Sequence, residues 1–294
     1  MKYLLIITSV FLILSSCNNN SETIVEDEII IEESGISDQA HKKTVKKIFY
    51  NVPSPLEISS MLKSSGTTYN SGYLNSFKKV NNYTTIEEMS INLGIYGADL
   101  SYNRLYDQIQ ESVNYFSAIK KLSDNLGIPQ EQGGAAAERL ESNLENRDSL
   151  LTIISQTYSN ADQYLKQNER GNIASLIIMG GWIEALYIAT QIASLPGDNK
   201  MLLESIAEQK LSLENLIGLL SDYKDDEIVS LYIPKLQKLQ ESYKNVEIIQ
   251  SKSSVSTDKA TGITIIDNET TINISNEAFI EIMTQISEIR NSII

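Results

Sequence analysis

An all-α fold, a multi-helix bundle with one small β-hairpin near the C-terminus, is what this sequence predicts. Punctuation is sparse, with 14 Gly and 5 Pro in 294 residues, which favours long helices over a many-turned β fold. From Phe49 onward, apolar residues recur at intervals of three and four, the spacing of one helix face. Strict alternation, the mark of a strand, is confined to Thr261–Ile266 and Thr270–Ile274. Hydrophobic residues make up 41% of the chain, enough for a sizeable core.

Residues 1–17 stand apart. Lys2 precedes an apolar run from Tyr3 to Leu14, a charged start and short apolar core of the kind that directs secretion and is too short to span a membrane. Leu14-Ser15-Ser16-Cys17 closes it. That ending resembles the lipobox of bacterial lipoproteins, in which the cysteine is acylated with palmitate-type chains and becomes the mature N-terminus. Each buried methylene contributes roughly 0.8 kcal/mol, so one chain holds weakly and two or more hold firmly. Cys17 is the only cysteine, so no disulfide can form within the chain. Asn18, the second mature residue, is not the aspartate that retains enteric lipoproteins at the inner membrane. The expected address is the bacterial cell envelope, lipid-anchored, at the outer membrane.

Residues 18–47 read as an acidic tether. Glu22, Glu26, Asp27, Glu28, Glu32 and Glu33 occur without a basic partner, and like charges keep a chain extended. Isoleucines among them leave open a docking or sorting segment. Lys42, Lys43, Lys46 and Lys47 then lead into a helical domain over 48–294.

Within that domain, Ser54-Pro55 with Glu57 predicts a short helix from Pro55 to Lys63. Gly66–Gly72 reads as a loop. Thr84 or Thr85 caps the next helix, with Glu87 and Glu88 in its first turn. One stripe along it is Ile86, Met89, Leu93, Tyr96 and Leu100. A second is Ile95, Ala98, Tyr102, Leu105, Ile109, Val113 and Phe116, so a helix packed on two sides is expected to run to Gly127-Ile128-Pro129. Further helices fit 135–166 and 173–194, and Asp198 caps one to about Tyr223. Asp225-Asp226-Glu227 opens another to about Gln250, kinked at Pro234. A hairpin turning at Asp267-Asn268 follows, resting one isoleucine face on the helices because an isolated hairpin is marginal. Ser275 with Glu277 starts the last helix.

The stretch from Ile173 to Leu195 approaches the length of a bilayer span. Glu184 sits at its centre, no basic cluster flanks it, and a helix surrounded by others is apolar on all sides. A buried central helix is the expectation.

Charge and residue inventory exclude much chemistry. The chain carries 24 basic and 38 acidic residues, a formal charge of −14; losing residues 1–17 removes Lys2 and makes it −15. Such a surface repels nucleic acid and anionic headgroups. His41 is the only histidine, so triads and histidine-rich metal centres cannot be assembled. No cofactor is implied. Catalysis, if present, rests on carboxylates, Lys, Tyr or Ser. Ser117–Lys120 followed by Ser123-Asp124-Asn125 has the letters of penicillin-recognising motifs without their separation, and S-x-x-K recurs elsewhere by chance.

Two segments concentrate small residues, aromatics and a carboxylate: Asn92–Tyr102, containing Gly94, Tyr96, Gly97, Asp99 and Tyr102, and Gly180–Tyr187, containing Gly181, Trp182, Glu184 and Tyr187. Small residues let helices approach closely, and a carboxylate beside them needs a partner. Asp99, Glu184, Tyr96, Tyr102, Trp182 and Tyr187 are therefore the candidate ligand or buried polar site. They read either as an acid/base pair with its pocket or as a helix crossing whose carboxylates are met by Tyr, Asn, or an arginine such as Arg104 or Arg147.

With Asn143–Leu150 and Pro53-Ser54-Pro55, these segments resemble an uncharacterised family of predominantly helical bacterial lipoproteins, over roughly residues 49–195. The resemblance implies the helical fold and the anchor and carries no activity with it. The leading expectation is a non-enzymatic binding or scaffolding module, tied to the membrane through its lipid and meeting a protein or small-ligand partner. The alternative is a metal-independent carboxylate enzyme acting on envelope carbohydrate.

Overall fold

The computed structural model describes residues 66–129, 160, 163–250, 254–257, 264–267 and 270–294. The signal peptide, Cys17, the tether, the 55–63 helix and Arg147 lie outside them, as does nearly all of the 135–166 helix.

Thr85 accepts a hydrogen bond from the Glu88 backbone while Glu88 bonds back to Thr85 N–H, the reciprocal capping box its sequence predicts. Helix α1 (Ile86–Leu105) starts there. It does not run on to Gly127. Asp107 adopts φ +56°, Asp107 N–H bonds to Arg104 O, and Gln108 N–H reaches back to Asn103 O. That pair of bonds is a Schellman stop with aspartate in the left-handed position glycine usually takes. The chain reverses into α2 (Ile109–Asn125), which packs against α1, and the two apolar stripes become the two arms of a helical hairpin. Gly127 ends α2 with φ +67° and the same bond pair, to Asp124 and Ser123.

Helix α3 (Gly171–Ala193) is long and apolar enough to cross a membrane, yet 78% of its most apolar window is buried inside the protein. Three helices follow: α4 (Lys200–Ser221), α5 (Glu227–Ser242) and α6 (Asn276–Asn291). Neighbour contacts run α3 to α4, α4 to α5, α5 to α6 and α6 back to α3, a closed four-helix ring, while the α1–α2 hairpin packs on α3 through α1. Helix α3 therefore has partners around most of its circumference, with Ala185 exposed, which explains its apolarity. Asp226 caps α5 by accepting from Ile228 and Val229 N–H, and Ser275 caps α6 by accepting from Ala278 N–H. Pro234 sits inside α5, which continues through it.

Helix α5 ends eight residues before the Gln250 expected from sequence, because 247–250 is strand. Strands β1 (Glu247–Gln250), β2 (Ser254–Thr257), β3 (Thr264–Asp267) and β4 (Thr270–Asn273) form two antiparallel ladders. Pairing is nested, β1 with β4 and β2 with β3. The hairpin exists, but not with the predicted turn: Asp267 pairs with Ser254, and residues 258–263 join the strands that pair. Alternation identifies strands without naming their partners. Ile248, Ile272 and Ile274 pack on the core, as a marginal hairpin requires, whereas Ile249 on the other face is 53% exposed.

Candidate functional site

Glycines set the site. A Cβ on Gly94 would overlap the carbonyl oxygen of Ile177, and one on Gly180 would overlap that of Ile91. Helices α1 and α3 thus meet backbone to backbone, closer than any side chain at those positions permits. Asp99 follows Gly94 by about one and a half turns, and Glu184 follows Gly180 by about one. Both carboxylates have no solvent exposure. The expected crossing is present, with both acids buried beside it.

Their partners differ. Arg290, on α6, clasps Glu184 with Nε to Oε2 at 2.8 Å and Nη2 to Oε1 at 2.7 Å. The same Nη2 donates to Tyr73 O at 2.9 Å, and the guanidinium lies 4.2 Å from the Tyr187 ring centroid. Side-chain exposure in this pair is 6% and 0%, so the fork-to-fork pairing operates almost without solvent. No well-aligned hydrogen bond reaches either Asp99 oxygen; the Glu184 carboxyl and the Asn75 backbone N–H are its polar neighbours. Glu184 is held by a strong ion pair, whereas Asp99 is met only by the Glu184 carboxyl and the Asn75 backbone.

A strap of residues 66–83, with 3-10 turns at Ser71–Tyr73 and Phe77–Asn81, covers this end of the crossing. Tyr69 Oη donates to Asn103 Oδ1 at 2.7 Å, and Asn70 N–H donates to Tyr102 Oη at 3.1 Å. Asn75 Nδ2 donates to Tyr83 Oη and Asn92 Oδ1, at 2.8 and 3.0 Å. Tyr96 and Tyr115 donate their hydroxyls to Ser76 O and Asn75 O. Tyr96 and Tyr102 thus hold the strap to α1. Trp182 faces the other way, donating to Gln209 Oε1 at 3.1 Å, and Tyr187 supports Arg290. The six named side chains share a neighbourhood, and none of them lines the open cleft near β1 and β4.

Burial sets the electrostatics. It pushes the Asp99 carboxyl well above the ordinary carboxylate range, and the Glu184 charge adds to the effect while Arg290 opposes it. Burial also pushes Glu184 up, against the hydrogen bonds and charge of Arg290. The bidentate pairing is that of an anion with a cation, so Asp99 is the member held neutral. Tyr96, Tyr115 and Tyr102 are raised, mainly by burial, and remain phenols.

Sequence reasoning missed Arg290, which lies 106 residues from Glu184, and Asn75. Arg104 is buried on α1 but is not the cation that holds Glu184. A basic residue in the final turn of a helix is ordinary macrodipole compensation, so nothing marked Arg290 out. An open cleft of about 760 Å³ lies elsewhere, where the α3–α4 connection meets the base of β1 and β4. Asp198, Lys200, Glu204 and Glu247 line it, and neither Asp99 nor Glu184 does. Among the described residues no group of His, Cys, Asp and Glu is placed to hold a metal ion. No family model, curated protein or solved structure matches the chain.

Proposed function

We propose that this is a lipid-anchored protein of the bacterial cell envelope that acts as a non-enzymatic binding or scaffolding module, kin to helical lipoproteins. One observation carries the non-enzymatic part. The two carboxylates best suited by sequence to acid/base work are sealed at a helix crossing, one bound by Arg290, both without exposure and neither lining the open cleft. A general acid must come within hydrogen-bond reach of its substrate. Groups with no exposed surface, roofed by the strap and held by a structural arginine, instead specify how helices meet. The chemistry supports architecture.

The anchor rests on Met1–Cys17, whose charged start, apolar run and Leu-Ser-Ser-Cys ending carry both export and acylation. The acidic balance of the chain, −14, supports a protein or small-ligand partner over nucleic acid. The open cleft offers such a partner a concave, mixed polar surface on a rigid ring.

Cys17→Ser tests the anchor. The protein should move from the detergent phase to the aqueous phase and lose fatty-acid label, while keeping its thermal melt; a mutant still partitioning into detergent overturns it. Density-gradient fractionation should place the wild type with the outer membrane. Incubation with purified envelope polysaccharide tests the alternative, since steady release of reducing ends, abolished by Asp99→Asn, would make the protein an enzyme.

A further inference from the structure

We propose that the α1–α3 crossing contains a proton switch: Asp99 carries a proton in the folded protein at neutral pH, and losing it sets two buried carboxylates against one guanidinium and loosens the crossing.

The argument starts from geometry. The glycine contacts fix the helix separation, so the side chains beside them cannot drift apart to relieve repulsion. Arg290 already gives both arms of its fork to Glu184 and a further bond to Tyr73 O. No well-aligned hydrogen bond reaches either Asp99 oxygen, and the polar neighbours of Asp99 are the Glu184 carboxyl and the Asn75 backbone N–H. An ionised carboxylate with no exposure, a second carboxylate beside it and at most one backbone N–H to meet it is costly to bury, and such a group takes up a proton instead.

The groups that face Asp99 can be counted by element. Helix α3 presents Glu184, α6 presents Arg290, the strap presents Tyr69 and Tyr83, and α2 presents Tyr115. Its own helix adds Tyr96; Arg104, buried further along that helix, is not among the groups acting most strongly on Asp99. The four tyrosines are all raised above their ordinary value, so none of them titrates between pH 5 and 9. Within that window the balance at the crossing is set by Asp99 and Glu184 against Arg290.

The direction of the pH dependence follows from linkage. In the unfolded chain Asp99 ionises near pH 3.9, as about any exposed aspartate does. The folded protein keeps the proton to higher pH, so over that interval it binds more protons than the unfolded chain. The contribution of Asp99 is complete below the unfolded pKa and is lost as pH rises through the folded one.

Trp182 supplies the readout. It is the only tryptophan, is 2% exposed, and lies two residues from Glu184 on α3. The test uses the full-length protein in detergent micelles, as wild type and as Asp99→Asn, which keeps shape and removes the titration. Infrared difference spectra should show one protonated-carboxyl stretch at pH 7, shifted by carbon-13 aspartate labelling and absent from Asp99→Asn. From pH 5 to 9, the unfolding constant of wild type relative to the asparagine variant should rise by up to about tenfold per pH unit. Trp182 emission should move to the red in the wild type alone. A folded wild type with no aspartic-acid band at pH 7 overturns the proposal, as does a ratio of unfolding constants flat across the range. If Asp99→Asn fails to fold, the wild-type measurements decide: the labelled band must disappear in step with the Trp182 shift, and a band lost without that shift overturns the switch.

Discussion

Arg290 holds Glu184 from the last turn of α6, and the pair is worth more broken than made. Removing one member of a buried ion pair strands the other and costs about 3–5 kcal/mol, while apolar replacement of both is often neutral. Arg290→Met is therefore expected to lower stability by that amount, and adding Glu184→Met should recover most of it. Denaturant melts of the two single variants and the double complete the cycle. Equal losses in all three would mean that packing, and not charge, is what the site supplies. Glu184 and Asp99 were legible in the sequence because small residues beside a carboxylate point to a close helix crossing. The identity of the cation was not, since a pairing across 106 residues leaves no local pattern. Arg104 and Arg147 were nearer in sequence, and nearness in sequence is no guide to contact between helices.

Between helices, the glycines decide. Gly94→Ala and Gly180→Ala each place a methyl group inside a facing carbonyl, and neither backbone can yield without parting α1 from α3. Each should cost at least about 1–3 kcal/mol, the usual penalty of overpacking, and more if the helices separate. Gly181→Ala has more room, its Cβ lying 3.3 Å from Gly94 O, and should be the mildest of the three. Thermal melts ranking Gly181→Ala as the worst would contradict this account of the crossing. At the helix ends the sequence was readable at Thr85 with Glu88, Asp226 and Ser275, which start helices, and at Gly127, which stops one. At α4 it was not, since Asn199 and not the expected Asp198 is the N-cap, with no side-chain cap bond. It misled at Asp107, where a left-handed aspartate does the work of glycine. Relieving that backbone, Asp107→Gly should stabilise the α1–α2 hairpin by up to about 1 kcal/mol, because the turn then adopts φ > 0 without a Cβ penalty. A lower midpoint in urea would show that the Asp107 side chain contributes more than its backbone strain costs.

At the scale of the whole molecule, α3 is the shared wall of two substructures, the α1–α2 hairpin and the four-helix ring. Its apolar run was long enough to raise a membrane span, and Glu184 at its centre argued for burial; the ring closed by α6 is the physical reason that argument held. The nested strand pairing was not legible, because alternation gives a strand its face but not its partner. Helix α6 closes the ring from the far end of the chain, placing Phe279, Ile282, Ile286 and Ile289 in the core and Arg290 on Glu184. Ending the chain at Ile274 would remove both contributions at once. It would expose the apolar faces of α3 and α5 that α6 covers and leave Glu184 buried without a cation. Loss of a cooperative melt is the expected outcome, with helical circular dichroism only partly reduced, since α1 and α2 keep their mutual contact. Arg290→Met separates the two causes: it keeps the apolar side chains of α6, so it should still melt cooperatively, at a lower temperature. A truncated chain that melts as sharply as the full one would show that the hairpin and α3 fold independently of the ring, and that α6 is an appendage to the core and not its closure.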